Sequence, residues 1–383
     1  MEKVLVESRN PLPHLVQFEK NRILEQAEPF LHEKPVTVTA SSCKRSEGGL
    51  HDFFSQGDYW WPDPENPQGP YIHRDGETNP DLFYDHRQYL IRLSIQVPAL
   101  VAAYMIEGDD KYAYKAMQHL KAWFVDKKTK MNPHLKYAQA IPGRTPGRGV
   151  GIIDTIHLVE VAVAIEWLEA LSAPQKEALE EIKEWFRAYL QWMTTSENGI
   201  NERERMNNHA SAWVLQVAAF ARVTEDRKQF DFARQRFLKV LLPQLMAENG
   251  SFPNELERTK PYGYSIFHLD VCAGITELAS KSGENLWSYE TNNGRSMEKG
   301  MAFLYPYLVT KSSWPYGKDV MHWQAWPVRQ PCLLFAGLAL DEQKYISLWK
   351  NLDANPENKE IIRNFPIRQP VLWIDLPENP VAR

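Results

Sequence analysis

The feature that most constrains this 383-residue chain is the spacing of its apolar side chains. Over residues 91–105, 111–124, 156–171, 175–193, 210–223, 230–246, 266–280, 297–309 and 331–340 they recur every three or four positions, which is the period of one face of an α-helix. Turn signals separate these stretches. Gly108-Asp109-Asp110 parts two of them, and Ser172-Ala173-Pro174 sets a capping serine ahead of another. No convincing run alternates with period two, although residues 37–40 allow a short strand. Helices joined by short turns pack as hairpins. The lack of a fixed repeat length argues against an open solenoid. The expectation is therefore an all-α fold, a single-domain α/α barrel or toroid of helical hairpins over residues 1–383. Residues 84–383 would form the barrel, and residues 1–83 an N-terminal arm whose long loops reach a central cleft.

Composition narrows the function. A net charge of −5 with 24% charged residues fits neither a disordered chain nor a polybasic nucleic-acid binder. It leaves a polyanionic ligand open, because cations can gather in one cleft. The chain carries 13 Trp, many of them in Pro- and Gly-rich stretches. Such rings either pack the loops or line a carbohydrate cleft, where indoles stack on sugar faces. Cys43, Cys272 and Cys332 are odd in number and far apart, which allows one incidental bridge but no disulfide framework or metal motif. No metal and no cofactor are expected. No run of eighteen apolar residues suggests a membrane span. Residues 1–9 lack the apolar centre of a signal peptide.

Four loop-like segments carry polar residues out of helical register. The first contains Tyr59, Trp60 and Trp61 between Gly57 and Pro62, then His73 to Pro80. Three consecutive aromatics cannot share one buried face, so at least one is expected at a cleft. The second, Ala138-Gln139-Ala140-Ile141-Pro142-Gly143 with Arg144 and Arg148, sets two guanidinium groups among glycines and prolines. These make a solvated loop or a carboxylate-binding one. The third, Asn207-Asn208-His209, stands at the start of an apolar helix. Capping needs one asparagine and leaves the second and the histidine without a reason. The fourth runs from Asn249 through Arg258 to Tyr262, Gly263 and Tyr264; its tyrosines taken alone read as packing residues.

In this order, Trp-Trp-Pro, Ala-Gln-Ala-Ile-Pro-Gly, Asn-Asn-His and Asn-Gly-Ser-Phe-Pro-Asn-Glu-Leu-Glu-Arg ending in a tyrosine, the chain resembles the alginate lyases among the helical-toroid polysaccharide lyases. The likeness spans roughly residues 40–330, looks strongest to polysaccharide lyase family thirty-eight, and extends to family five. It implies that Asn208, His209, Arg258 and Tyr264 form the catalytic set. The Tyr59, Trp60, Trp61, Gln139, Arg144, Arg148, Asn207 and Tyr262 side chains are expected to bind substrate. Between Arg258 and the tyrosine this chain is one residue shorter than family five, so Tyr262 rivals Tyr264.

The residue types suit β-elimination of uronic-acid polymers such as alginate, mannuronan or glucuronan. The C5 proton of a uronate is hardly acidic while the adjacent carboxylate keeps its charge. Donors around that carboxylate spread the charge of the intermediate, and Asn208, His209, Arg258 and the dipole of a helix N-terminus near Asn208 would supply them. A tyrosine with an ordinary pKa near 10 is a poor base at neutral pH, but the Arg258 charge would lower it. In mannuronate and glucuronate the C5 proton and the C4 oxygen share a face, so Tyr264 could remove one and protonate the other. Guluronate would divide the work between His209 and Tyr264. The rivals are an α/α-barrel glycoside hydrolase and a non-catalytic glycan-binding protein. A hydrolase requires a carboxyl pair about 5 to 10 Å apart, for which Asp58, Asp63, Glu202 and Glu204 are available. A polymer substrate implies a periplasmic or secreted protein, taken as a monomer.

Overall fold

The computed structural model describes residues 12–175, 177–280 and 283–377. Residues 1–9, which do not read as a signal peptide, lie outside them. In chain order the helices are α1 (Leu12–Ala27), α2 (Asp85–Glu107), α3 (Asp110–Phe124), α4 (Leu158–Ala170), α5 (Glu177–Thr195), α6 (Glu197–Arg203), α7 (Asn208–Val223), α8 (Arg227–Arg236), α9 (Leu242–Leu245), α10 (Pro253–Leu256), α11 (Pro261–Ala279), α12 (Met297–Val309), α13 (Pro331–Ala339), α14 (Gln343–Asn351) and α15 (Lys359–Arg363).

Two classes of helix build a ring. The inner members α2, α4, α7, α11 and α13 pack each on the next. They are apolar almost all round, as helices buried on every side must be; in α7 every residue but His209 is buried. The outer members are amphipathic. In α3 and α5 the apolar stripe faces inward, and α3 packs on α2, α5 and α8 on α7, α12 on α11, and α14 on α13. This alternation of inner and outer helices is the hairpin toroid expected from the sequence.

The helices of the sequence reading are present, with ends shifted by a few residues. Where one helix was expected over 230–246, the structure has α8, a π-turn at Phe237–Leu241 and then α9. Pro243 accounts for the break, since it cannot donate within a helix. Four corrections apply. The N-terminal arm contains helix α1, which packs on α2. Residues 38–40 form a 3-10 turn and not a strand. Short strands do occur in the loops: β1 (Phe54–Gln56) pairs in parallel with β4 (Tyr137–Ala140), and β2 (Trp60–Trp61) antiparallel with β3 (Ile72–His73). And α2 is long and apolar enough to cross a membrane, yet most of that stretch is buried in the ring. All three cysteines are free thiols.

Candidate active site

The inner helices α2, α4, α7 and α11 bring their N-terminal ends to one cleft. Its lining includes Arg87 from the first turn of α2, His157 just before α4, Asn208 and His209 opening α7, and Tyr264 in the first turn of α11. Helix N-termini carry partial positive charge, so this end of the ring favours an anion before any side chain is counted. The cavity at its centre measures about 170 Å³.

On one wall, each candidate side chain is held by a single acid. Glu255 accepts from the backbone N–H of Asn208 at 2.6 Å and from its Nδ2 at 2.7 Å. Glu202, fully buried, meets His209 Nδ1 at 2.6 Å. That contact points Nδ1–H at the carboxylate, so in the neutral ring it is Nε2 that carries the lone pair. Asp75 binds Arg258 through both oxygens, at 2.6 and 3.0 Å, and also accepts from Thr259. Burial works against the Asp75 charge, but these donors hold its carboxyl down at about 2. Arg258 stacks over the Tyr264 ring, 4.5 Å from its centroid, and reaches the hydroxyl at 3.4 Å.

The sequence reading gave the positive end of α7 to the substrate. The structure spends its first N–H groups differently. Glu255 takes that of Asn208, and Asn207 Oδ1 takes that of His209 at 3.2 Å. Tyr264 departs from expectation too. Burial and the neighbouring Tyr59 push its hydroxyl well above 10, and Arg258, although it pulls the other way, does not offset them. Tyr264 therefore holds its proton more tightly than an ordinary phenol.

The other wall is a chain of alternating charges that sequence reasoning missed. Asp154 pairs with Arg87 at 3.1 Å, Arg87 with Asp58 at 2.5 Å, Asp58 with Arg363, Arg363 with Glu360 at 2.9 Å, and Glu360 with Lys260 at 2.5 Å. The chain meets the first wall at Tyr59. Tyr264 donates to the Tyr59 hydroxyl at 2.8 Å, Arg363 reaches that oxygen at 3.3 Å, and Lys260 lies 5.0 Å from the ring centroid.

The loops supply a third side. Trp60 faces the cleft between the guanidinium groups of Arg144 and Arg148, 5.2 and 5.7 Å from its ring centroid, and its buried Nε1 has no partner among the described residues. The loop closes this tightly because residue 57 is glycine: a Cβ there would lie 2.6 Å from Trp60 and 2.9 Å from Arg148. Gln139 sits in the left-handed region at φ 49°, uncommon for a residue with a side chain. Its carbonyl and Oε1 accept from Arg148 at 2.9 and 3.0 Å, and its Nε2 donates to Asp154 at 3.3 Å. His73, quoted in the sequence but given no role, also lines the cavity.

Of the residues expected to bind substrate, Tyr59, Trp60, Gln139 and Arg148 line the cavity with Asn208, His209, Arg258 and Tyr264. The others do not. Tyr262 is fully buried behind the site, donates to the Tyr307 carbonyl at 3.0 Å and packs edge-on against Trp314. The glycine between the tyrosines explains the local pattern. A Cβ on Gly263 would lie 2.8 Å from Trp326 and 2.9 Å from Asp319, whose carboxylate accepts from the N–H groups of Tyr262 and Gly263. Trp61 donates outward to the Glu77 carbonyl under Arg74, and Arg144 is exposed and tied to the Tyr71 carbonyl. Asn207 is the helix cap. The four acids weighed for a hydrolase are also engaged: Asp58 and Glu202 as above, Asp63 in a turn with Glu65, and Glu204 with Arg203 and Arg236 on the surface.

Comparison with known proteins agrees in sequence and in fold. The profile described as "Alginate lyase" matches residues 37–314. A crystal structure of an alginate lyase from Bacteroides ovatus is 31% identical, with a TM-score of 0.79, covering 95% of this chain and 99% of that one. Alginate lyase A1-III from Sphingomonas species A1 shares the fold at 14% identity and a TM-score of 0.52, covering 92% and 94%. Its variant complexed with a tetrasaccharide gives 14% and 0.55, covering 96% and 97%. No curated protein matches.

Proposed function

The chain belongs to the alginate lyase family and is a polysaccharide lyase acting on alginate; from that premise we propose that it works by metal-independent β-elimination in the cleft between Asn208, His209, Arg258 and Tyr264. The carrying observation is the side chains' shared access to one cavity, each of the first three held by its own acid. A uronate carboxylate seated there meets the free Nδ2 hydrogen of Asn208 and the charge of Arg258. Both spread the developing charge when C5 loses its proton.

Tyr264 is the acid for the leaving C4 oxygen. In mannuronate its phenol proton first passes to solvent, and the resulting phenolate takes the C5 proton and hands it to the C4 oxygen. Arg258 at 3.4 Å and Tyr59 at 2.8 Å are the groups that hold the transient phenolate. In guluronate the C5 proton lies on the other face, and His209 Nε2, oriented by Glu202, takes it while Tyr264 protonates the leaving oxygen. Positioned groups of this kind contribute about 10²- to 10⁴-fold. Trp60 offers its ring to a neighbouring sugar, with Gln139 and Arg148 beside it. A polymeric substrate places the reaction outside the cytoplasm, periplasmic or secreted, and a cleft completed by one chain suits a monomer.

The test is purified protein on mannuronate-rich alginate, guluronate-rich alginate and glucuronan. Ultraviolet absorbance from the new C4–C5 double bond should grow on alginate with a chelator present. New reducing ends without that absorbance would replace the reading with hydrolysis.

A further inference from the structure

Glu255 is fully buried in α10, and both of its oxygens accept from Asn208. Oε1 accepts from the backbone N–H of Asn208 and Oε2 from its Nδ2. Behind it stands His268. Its Nδ1 lies 3.2 Å from Glu255 Oε1, its Nε2 lies 2.8 Å from Ser211 Oγ, and Phe252 stacks on the ring at 4.1 Å with 20° between the planes. Ser211 is one turn along α7 from Asn208, and His268 one turn along α11 from Tyr264. The pair therefore ties together the two helices whose first turns carry the site.

An ionised carboxylate offers lone pairs only. The Asn208 atom facing Glu255 must then be the amide nitrogen, one of whose hydrogens is spent there. The second is left for the cleft that Asn208 lines. Without this acceptor the amide could turn its carbonyl toward the cleft, where it would repel a uronate carboxylate. We propose that Glu255 is a positioning residue for the elimination, fixing the Asn208 amide so that an N–H and not the carbonyl meets the substrate carboxylate, with His268 as the buried counter-cation. The inference rests on Asn208 serving that carboxylate.

Charge favours the arrangement. Burial opposes ionised Glu255, but His268 and the donors of Asn208 outweigh it and hold its carboxyl below the ordinary value. Burial likewise opposes the imidazolium, yet Cys272 and Glu255 raise His268 to about 9. The pair thus stays charged through the neutral range, and His268 keeps Glu255 from presenting an uncompensated negative charge to an anion site.

The experiment is a kinetic cycle on mannuronate-rich alginate with wild type, Asn208→Ala, Glu255→Gln and the double variant, each checked by thermal unfolding. Glutamine keeps the shape but presents a donor to one of Asn208's two N–H groups. A hydrogen bond to a charged group of this kind corresponds to a fall in kcat of about 10- to 100-fold, with KM moved less than about threefold. In the Asn208→Ala background Glu255→Gln should add nothing. An unchanged kcat, or equal losses in both backgrounds, overturns the proposal and leaves the reading of the site standing. Full activity in Asn208→Ala would sink that reading itself. Should Glu255→Gln fail to fold, the wild-type protein still decides by nuclear magnetic resonance. Side-chain amide protons of Asn208 bound to a buried carboxylate exchange slowly; exchange as fast as in surface asparagines rejects the clamp.

Discussion

On the Asn208 wall of the cleft each candidate side chain is gripped by its own acid: Glu255 holds Asn208, Glu202 holds His209, and Asp75 holds Arg258. The candidate partners keep a hydrogen or a lone pair unspent toward the cavity. On the Arg87 wall the charges hold one another instead, in the sequence Asp154, Arg87, Asp58, Arg363, Glu360, Lys260. Both walls contain Arg, Asp and Glu, so residue type alone does not decide role. What decides it is whether the bonding capacity of a side chain is exhausted by the protein. The first wall is the one proposed to meet substrate. The second holds the first in place, touching it through Tyr59 and Tyr264.

Substitutions on the two walls should therefore fail in different ways. The largest effect is expected at His209. Its replacement by alanine should lower kcat on guluronate-rich alginate by about 10² to 10⁴ while leaving the unfolding midpoint nearly unchanged, read by absorbance and calorimetry. A smaller loss on mannuronate-rich polymer would sharpen the division of labour with Tyr264; equal losses on both would break it. Arg87→Met should do the reverse. It strands buried Asp154 without its cation, and breaking a buried pair costs about 3–5 kcal/mol, measurable by chemical denaturation. Near-wild-type stability with lost activity would move Arg87 into the chemistry.

The smallest effect concerns pH, where stability and activity should part. Burial raises the carboxyls of Glu160 and Asp270 to about 7. The folded state holds their protons more tightly than the unfolded chain, so their contribution weakens as pH rises from about 4 to 7. For Asp75 and Glu360, burial is outweighed by Arg258 for the first and by Arg363 and Lys260 for the second, and both carboxyls fall to about 2. Their contribution is present above the ordinary carboxylate range and disappears as pH falls from about 4 to 2. From these groups the unfolding midpoint should peak on the acid side, near pH 4. Activity, which needs the Tyr264 proton to leave, should climb into the alkaline range. Coincident optima would contradict the assignment of Tyr264.

The contrast also explains what was legible in the sequence. The inner and outer helices were, because apolar spacing is local. Short motifs pointed to Asn208, His209, Arg258 and Tyr264 as candidates, and the fold brings these four to one cavity. The opposing wall was not legible. Arg363 lies 305 positions from Asp58 and beyond the matched family segment, and no local pattern announces a pairing across the ring. Glu202 and Glu255 stood in the quoted segments, but an acid shows its partner only when the fold supplies one. Glu202 was weighed as a hydrolase carboxylate and proves to be the support of a histidine. The choice between Tyr262 and Tyr264 turned on one helical register. Spacing left it open, and burial separates the two, with Tyr262 against Tyr307 and Trp314 and Tyr264 on the cavity.

That choice is also where the account is most exposed. Initial rates of double-bond absorbance on mannuronate-rich alginate should be compared for wild type, Tyr264→Phe and Tyr262→Phe, with polymer binding measured in parallel. Loss of the Tyr264 hydroxyl should abolish the signal by at least about 10² with binding retained, whereas loss of the Tyr262 hydroxyl should leave the rate within a few-fold and cost only about 1 kcal/mol of stability. An active Tyr264→Phe variant, or an inactive but well-folded Tyr262→Phe variant, would contradict it.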